Sequence, residues 1–127
     1  MGDRKAPRVL VVDDHPAVRR AICSLLRRRG YAVESAADGR EALGYLALAR
    51  FDLIITDYQM PRLDGVELWR QASERFPYLR DRFLFCTATP GSAWLPPELG
   101  QRRLTKPVGA AELWAAVEVA LGEAPPA

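Results

Sequence analysis

Several residues that could do chemistry stand directly after apolar runs of the sequence. Asp13 and Asp14 follow the run VLVV, Asp57 follows LIIT, Thr87 follows FLFC, and Lys106 follows RLT. Three carboxylates that lie close together repel one another unless a cation is present, and magnesium prefers such oxygen ligands. The cation and a lysine would neutralise the oxygens of an incoming phosphoryl group, to which a threonine hydroxyl can donate a hydrogen bond. The residue types therefore predict a magnesium-dependent phosphoryl site.

These residues can meet only if the apolar runs are strands of one parallel sheet. Residues 8–12, 51–56 and 82–87 contain apolar runs without polar alternation, which is typical of strands buried on both faces. A weaker strand at 31–37, expected at a sheet edge, and a short one at 102–105 complete a set of five. Because helical patterns alternate with these strands, we predict an open parallel sheet with helices on both faces, whose strands share one carboxyl edge.

The helices between the strands have recognisable start signals. Pro16 suits the first position of the first helix, and an Asp-x-x-Glu pattern, a variant of the capping box, opens the second at 38–41 and the third at 64–67. A last helix is predicted between residues 109 and 122. The second helix is expected to bury a stripe made of Leu43, Leu46 and Ala47.

Composition argues against several other functions. With 127 residues, of which 49% are hydrophobic and 27% charged, the chain is expected to be one globular domain. A net charge of +2 is too small to argue for binding to nucleic acid or to an anionic membrane. Cys23 and Cys86 lie in apolar patterns and are expected to be buried thiols. No apolar signal region or membrane-spanning run is present, so a cytoplasmic location is expected.

Four segments of the chain resemble, in order, the motifs of a response-regulator receiver domain of two-component signalling: VLVVDDHP, LIITDYQMPRLDG, FLFCTA and LTKP. The resemblance covers about residues 8 to 121. It implies an α/β fold with a flavodoxin-like, doubly wound sheet of five parallel strands in the order 2-1-3-4-5. The boundaries that we expect are a flexible terminus at 1–7, the receiver domain at 8–122, and a tail or the start of a linker at 123–127.

The resemblance also implies a role for each candidate residue. Asp57 is expected to be the phosphoacceptor, Thr87 the switch hydroxyl, and Lys106 the residue that binds the phosphoryl group. The expected ligands of Mg²⁺ are Asp13, Asp14, Asp57 and the backbone carbonyl of Gln59. Removing either of the first two carboxylates is expected to weaken Mg²⁺ binding and to leave the metal-free fold no less stable, because a like charge is lost.

Two features depart from the family pattern. Arg103 stands three positions before the lysine, where the family usually has an aromatic residue, and the stretch preceding it is short and rich in proline. Residues 90–101 are therefore expected to form a turn or loop, so that the helix between the fourth and fifth strands is shortened or replaced. The aromatic switch is expected to be absent. Trp94 and Leu95 are expected either to pack onto the sheet or to form an exposed patch.

The expected function is that of a phosphoacceptor that supports its own Mg²⁺-dependent phosphorylation and dephosphorylation, not that of a classical enzyme. A histidine kinase or phosphotransfer protein would donate the phosphoryl group to Asp57. An unidentified downstream protein would respond through altered contacts, without direct contact to nucleic acid or membrane. The alternative is a degenerate receiver that acts as an unphosphorylated interaction module. The sequence does not choose between a stand-alone regulator and a module of a longer protein such as a hybrid kinase.

Overall fold

The computed structural model describes residues 6–60, 62–88 and 103–122, which form one parallel β-sheet flanked by helices. The strands are β1 (Arg8–Val12), β2 (Ala32–Ala36), β3 (Leu53–Asp57), β4 (Phe83–Thr87) and β5 (Arg103–Thr105). Their order in the sheet is β2-β1-β3-β4-β5, and every pairing is parallel. The predicted flavodoxin-like fold is therefore confirmed, including the weak strand β2 at a sheet edge.

Among the described residues, a helix follows each of β1, β2, β3 and β5. These helices are α1 (Pro16–Arg28), α2 (Gly39–Leu48), α3 (Gly65–Arg75) and α4 (Ala110–Ala120), and a short 3₁₀ turn follows α3 at Pro77–Leu79. None of these described helices combines the length and the apolar character needed to cross a membrane. The predicted loop at 90–101, with Trp94 and Leu95, lies outside the residues that the structure describes.

The sheet separates two apolar layers, which is why the central strands are buried on both faces. Val9 and Val11 of β1 pack on one side in a cluster with residues of α1 and α4. Leu10 and Val12 point to the other side, where α2 and α3 contribute to a second cluster. Since successive strand residues face opposite ways, an unbroken apolar run is the sequence that a sheet covered on both faces requires. The two layers hold the strand ends in fixed positions.

Two helix starts are stabilised by the aspartates that the sequence pattern indicates. Asp38 Oδ1 accepts a hydrogen bond from the backbone N–H of Glu41 at 2.9 Å, and Asp64 Oδ1 accepts one from Glu67 at 2.8 Å. Each bond satisfies one of the backbone donors left free in the first turn of a helix. Pro16 occupies the first turn of α1, as predicted. The loop after β3 therefore ends at a defined residue.

The buried stripe of α2 differs from the prediction. Leu46 is buried and Leu43 is half-buried, but Ala47 is exposed, and Gly39 and Ala42 complete the buried face instead. The stripe thus runs at spacings of three and four residues from Gly39, whose Cα hydrogens face the side chain of Leu63. A methyl group adds little buried apolar area, so Ala47 could not set the rotation of the helix against the larger leucines.

Both cysteines are buried thiols, as the apolar patterns predict. Cys23 lies in the layer with α1, and Cys86 lies in β4. Burial raises the pKa of the Cys23 thiol, and it raises the pKa of Cys86 to about 12. Neither side chain is in a disulfide. These residues therefore act as small apolar groups of the core.

The cap at Asp64 gives a test of how firmly the loop after β3 is anchored. Asp64→Ala removes the acceptor for the Glu67 N–H and should lower the free energy of unfolding by about 1 kcal/mol. Asp64→Asn keeps a side-chain oxygen at the same place and should lose clearly less. Urea unfolding followed by circular dichroism measures both values. Equal losses in the two variants would show that the side-chain acceptor does not stabilise α3.

Candidate functional site

The register of the sheet brings the predicted residues to one edge. Val12 pairs with Thr56, so Asp13 and Asp57 follow at the same level on neighbouring strands β1 and β3. On the other side, Thr87 of β4 pairs with Thr105 of β5, and Lys106 comes next. Parallel strands end at a common edge, which is where open α/β sheets bind their ligands.

Backbone hydrogen bonds hold the loops where they leave this edge. The N–H of Asp13 donates to the carbonyl of Ala36 at 3.2 Å, and the N–H of Lys106 donates to the carbonyl of Thr87 at 2.8 Å. Each bond extends the pairing of two parallel strands by one step beyond the sheet. The carboxylate of Asp13 and the side chain of Lys106 therefore start from backbone positions that are fixed.

Lys106 joins the two most buried carboxylates. Its Nζ lies 2.8 Å from Asp13 Oδ2 and 3.2 Å from Asp57 Oδ2. Asp13 is 1% exposed and Asp57 is 7% exposed, while the side chain of Lys106 is 15% exposed. A charge-assisted hydrogen bond between buried groups is stronger than one at the surface, because water competes less for the partners. The lysine thus counters the repulsion between the two acids.

Burial and neighbouring charges shift two pKa values in the pocket. Burial raises the pKa of Asp57, the charge of Lys106 opposes that rise, and the carboxylate of Asp13 adds to it. Burial alone would lower the pKa of Lys106, but its hydrogen bond to Asp13 and the charges of both acids outweigh burial and raise it. The ammonium group therefore stays charged at neutral pH, and Asp57 needs more positive charge than this lysine supplies to be fully stabilised as a carboxylate.

Asp14 contributes an oxygen without a hydrogen-bond partner. Its Oδ1 is buried and accepts no hydrogen bond. Four residues of the pocket each offer one possible ligand atom, and these atoms all lie within 4.8 Å of one another: Asp13, Asp14, His15 and Asp57. A buried acceptor without a donor fits a hard cation, since Mg²⁺ binds carboxylate oxygens directly. The residues present are therefore suited to a divalent ion.

Gln59 and Thr87 both lie at the carboxyl edge of the sheet, but Gln59 is exposed and Thr87 is buried. Gln59 is exposed in the loop after β3, and its backbone N–H lies 3.4 Å from Asp57 Oδ1, to which it donates. Thr87 is buried at the end of β4 and is tied through its carbonyl to the backbone of Lys106. The structure thus brings the three aspartates and Lys106 together, and it places Gln59 beside Asp57.

The contacts of two residues of the site, Gly65 and His15, are not predicted by the sequence analysis. The Cα of Gly65 lies so close to Asp57 that an added Cβ would overlap the Asp57 carbonyl oxygen. Gly65 stands at the end of the motif LIITDYQMPRLDG and in a predicted helix start, neither of which indicates this contact. His15 stands in the motif VLVVDDHP without an expected role, yet its Nδ1 lies 3.4 Å from Asp13 Oδ1 and 3.2 Å from Asp14 Oδ1. Its position directly after two acids was the available signal.

Curated relatives match about half of the chain. The response regulator MprA of Mycolicibacterium vanbaalenii is 53% identical over 64 residues, which cover 50% of this chain and 28% of that protein. MprA of Mycobacterium tuberculosis is 52% identical over 64 residues, with the same coverage. The matched segment is thus well under two thirds of the length of these relatives.

Solved structures match nearly the whole fold, and a family model gives the family. The chemotaxis protein CheY4 of Vibrio cholerae has a TM-score of 0.78 and 32% identity, covering 91% of this chain and 98% of its own. The receiver domain of a signal transduction histidine kinase from Syntrophus aciditrophicus has a TM-score of 0.73 and 31% identity, covering 92% and 91%. A model of the response regulator receiver domain matches residues 9–118. This chain therefore belongs to the response regulator receiver domain family.

Proposed function

We propose that this receiver domain accepts a phosphoryl group on Asp57 from the phosphohistidine of a histidine kinase or phosphotransfer protein. The observation that carries the proposal is the contact of Lys106 Nζ with both Asp13 and Asp57 at the edge of the sheet. This arrangement supports the proposal because it sets the carboxylate of Asp57 beside a positive charge and near two further acids that suit a divalent ion. The domain supplies the acceptor, and its partner supplies the phosphoryl group.

In the proposed transfer, a carboxylate oxygen of Asp57 forms a bond to phosphorus while the phosphorus–nitrogen bond of the donor breaks. The electron pair of that bond stays with the donor imidazole. Because Asp57 must be ionised to attack, its burial has to be offset by cations. Lys106 then moves from pairing with the free carboxylate to neutralising the phosphoryl oxygens. Water then attacks the acyl phosphate, the bond between phosphorus and the Asp57 oxygen breaks, and release of inorganic phosphate returns Asp57 to the free carboxylate.

Receiver domains generally bind Mg²⁺ at an acidic pocket, and we assign that role here to Asp13, Asp14, Asp57 and the carbonyl of Gln59. When bound, the ion supplies positive charge to the oxygens of the phosphoryl group. Support comes from the unpartnered Oδ1 of Asp14 and from the position of Gln59, whose backbone already contacts Asp57. The acids bring the negative charge that attracts the ion, and Lys106 remains as the second cation of the site.

We further propose that signalling starts at Thr87. Phosphorylation adds about −1.5 to −2 charges to Asp57, and the Thr87 hydroxyl would donate a hydrogen bond to the new oxygens. Thr87 is linked through its carbonyl to Lys106, so both residues would respond together. Arg103 of β5 is exposed, in the place where the family usually has an aromatic residue. Moving its charged group into a buried pocket would be costly, so the response would pass through Thr87 and residues 88–101.

The output that we propose is a changed contact with another protein, without direct binding to nucleic acid or membrane. Support comes from the small net charge of +2. The domain would act in the cytoplasm, where kinases draw on ATP. Within the chain, we assign residues 8–122 to the receiver, 1–7 to a flexible terminus and 123–127 to a tail or linker. Whether the domain acts alone or within a longer protein is independent of the chemistry at Asp57.

The first prediction from this proposal concerns the acceptor. Incubation with acetyl phosphate and Mg²⁺ should add one phosphate to the wild-type chain, as measured by intact mass, and much less without Mg²⁺. Asp57→Ala should take up none, because the attacking oxygen is gone. Asp52→Asn is a matched control: this acid lies at the opposite end of the same strand region and accepts a hydrogen bond from the N–H of Arg8. It should be phosphorylated like the wild type.

Equal phosphate uptake by Asp57→Ala would refute the assignment of the acceptor. No uptake by the wild type, from acetyl phosphate or from a phosphorylated kinase, would favour the degenerate receiver that acts as an unphosphorylated interaction module.

The second prediction separates Asp13 from Asp14, which the sequence treats alike. Both Asp13→Ala and Asp14→Ala should weaken Mg²⁺ binding, measured by calorimetry. Asp14→Ala should leave the metal-free fold as stable or more stable, because it removes a like charge beside Asp13 and Asp57 and an oxygen that accepts no hydrogen bond. Asp13→Ala should lower the free energy of unfolding by about 1–3 kcal/mol, because Lys106 Nζ and the His15 N–H each lose a partner.

Urea unfolding in the presence of a chelator measures these stabilities. Glu74→Ala, at an exposed site about two and a half turns along α3 from Gly65, is the control for removal of a single negative charge. If Asp13→Ala proved as stable as Asp14→Ala, the pairing of Asp13 with Lys106 would contribute nothing to the metal-free fold.

A further inference from the structure

His15 is the residue of the acidic pocket that the phosphoryl chemistry leaves without a role. It occupies the N-cap position of α1, but its side chain makes no capping hydrogen bond. N-cap side chains usually accept a hydrogen bond from the first turn of the helix. The backbone N–H of His15 instead donates a hydrogen bond to Asp13 Oδ1 at 2.9 Å. This bond fixes the backbone of His15 beside Asp13, and the imidazole lies next to both preceding acids.

The spacing of the atoms around the imidazole is that of metal ligands. His15 Nδ1 lies 3.4 Å from Asp13 Oδ1 and 3.2 Å from Asp14 Oδ1. Ligands that are adjacent on a tetrahedral or octahedral ion lie about 3 to 3.4 Å apart, because metal–ligand bonds are about 2.1 Å long. A carboxylate oxygen of Asp57 completes the group within 4.8 Å. These atoms could therefore surround one ion after small side-chain movements.

The hydrogen bonding of Asp14, whose side chain is 28% exposed as a whole, fits the same geometry. Its Oδ1 is buried and makes no hydrogen bond, although His15 Nδ1 is only 3.2 Å away. Buried carboxylate oxygens normally have a donor. An ordinary histidine–carboxylate hydrogen bond would have satisfied this atom, and the side-chain geometry does not form one. A cation bound by both atoms would use the free lone pairs of the nitrogen and of the oxygen.

We propose that His15 is a further ligand of the metal site through Nδ1, and that it shifts the preference of the site from Mg²⁺ toward first-row transition ions such as Mn²⁺ and Co²⁺. Mg²⁺ is a hard ion that favours oxygen ligands and retains its waters, whereas an imidazole nitrogen suits transition ions. The inference rests on the proposed function, because it adds a ligand to the site assigned there to Mg²⁺. It concerns which ion fills that site in the cell.

Affinity measurements with two substitutions test the selectivity. His15→Asn replaces the nitrogen by an amide oxygen at a similar distance from the backbone, and His15→Ala removes the donor. Calorimetry at mildly alkaline pH gives the Kd of each protein for Mg²⁺ and for Co²⁺. The preference for Co²⁺ over Mg²⁺ should fall by about tenfold or more in both variants, the scale on which single groups around a metal change its affinity. His15→Asn should retain Mg²⁺ binding.

Pulsed electron paramagnetic resonance of bound Mn²⁺ tests the ligand itself. The chain contains one histidine, so an untagged protein labelled with ¹⁵N-histidine reports on His15 alone. A ¹⁵N coupling to bound Mn²⁺ is expected in the wild type and should be absent in His15→Asn. Circular dichroism of the variants should match the wild type, because the His15 side chain is exposed.

Two results would overturn the inference: no nitrogen coupling to bound Mn²⁺, or an unchanged preference for Co²⁺ over Mg²⁺ in both variants. If Asp57 is nevertheless phosphorylated with Mg²⁺, the proposed function stands and His15 is only a neighbour that pairs with the acids. If the wild type binds neither ion, or if Asp14→Ala binds both ions as well as the wild type, the metal site itself is wrong, and the inference fails with it.

Discussion

The pocket depends on one ammonium group held between two buried carboxylates. Lys106 Nζ contacts Asp13 and Asp57, and the removal of either contact would leave a buried charge without its partner. One lysine cannot balance three aspartates. When all three carboxylates of the pocket are ionised, two negative charges therefore remain. A divalent cation carries that same charge with the opposite sign. The charge of the pocket is therefore suited to the divalent ion that we propose for it.

The sheet makes this concentration of charge possible because its strands are held from both sides. Apolar layers cover the two faces of β1 and β3, so the backbone has little freedom to let the acids separate. Hydrogen bonds from Asp13 to Ala36 and from Lys106 to Thr87 continue this order beyond the last strand residues. Repulsion between the acids is thus opposed by the packing of the whole domain, and the stability of the core maintains the strained charge arrangement at its edge.

Much of this structure follows from the sequence, because the local rules agree with the global fold. The sheet, the helices and the three aspartates and the lysine of the pocket are predicted by the unbroken apolar runs, the two Asp-x-x-Glu starts and the residues after each run. Pairings that depend on side-chain direction do not follow: that Lys106 contacts Asp13 more closely than Asp57, or that Asp14 keeps an unpartnered oxygen. The prediction that Ala47 belongs to the buried face of α2 is wrong, because a small residue gives a weak periodic signal.

Gly65 has a consequence for how the domain tolerates mutation. An added Cβ would overlap the carbonyl oxygen of Asp57, a backbone atom that cannot rotate away as the tip of a side chain can. Every amino acid other than glycine carries that Cβ, so a single base change at this codon could displace Asp57 without altering any charged residue of the sequence. Every residue proposed above for phosphoryl transfer would still be present. The damage would be steric, and it would be evident only from the three-dimensional neighbourhood of residue 65.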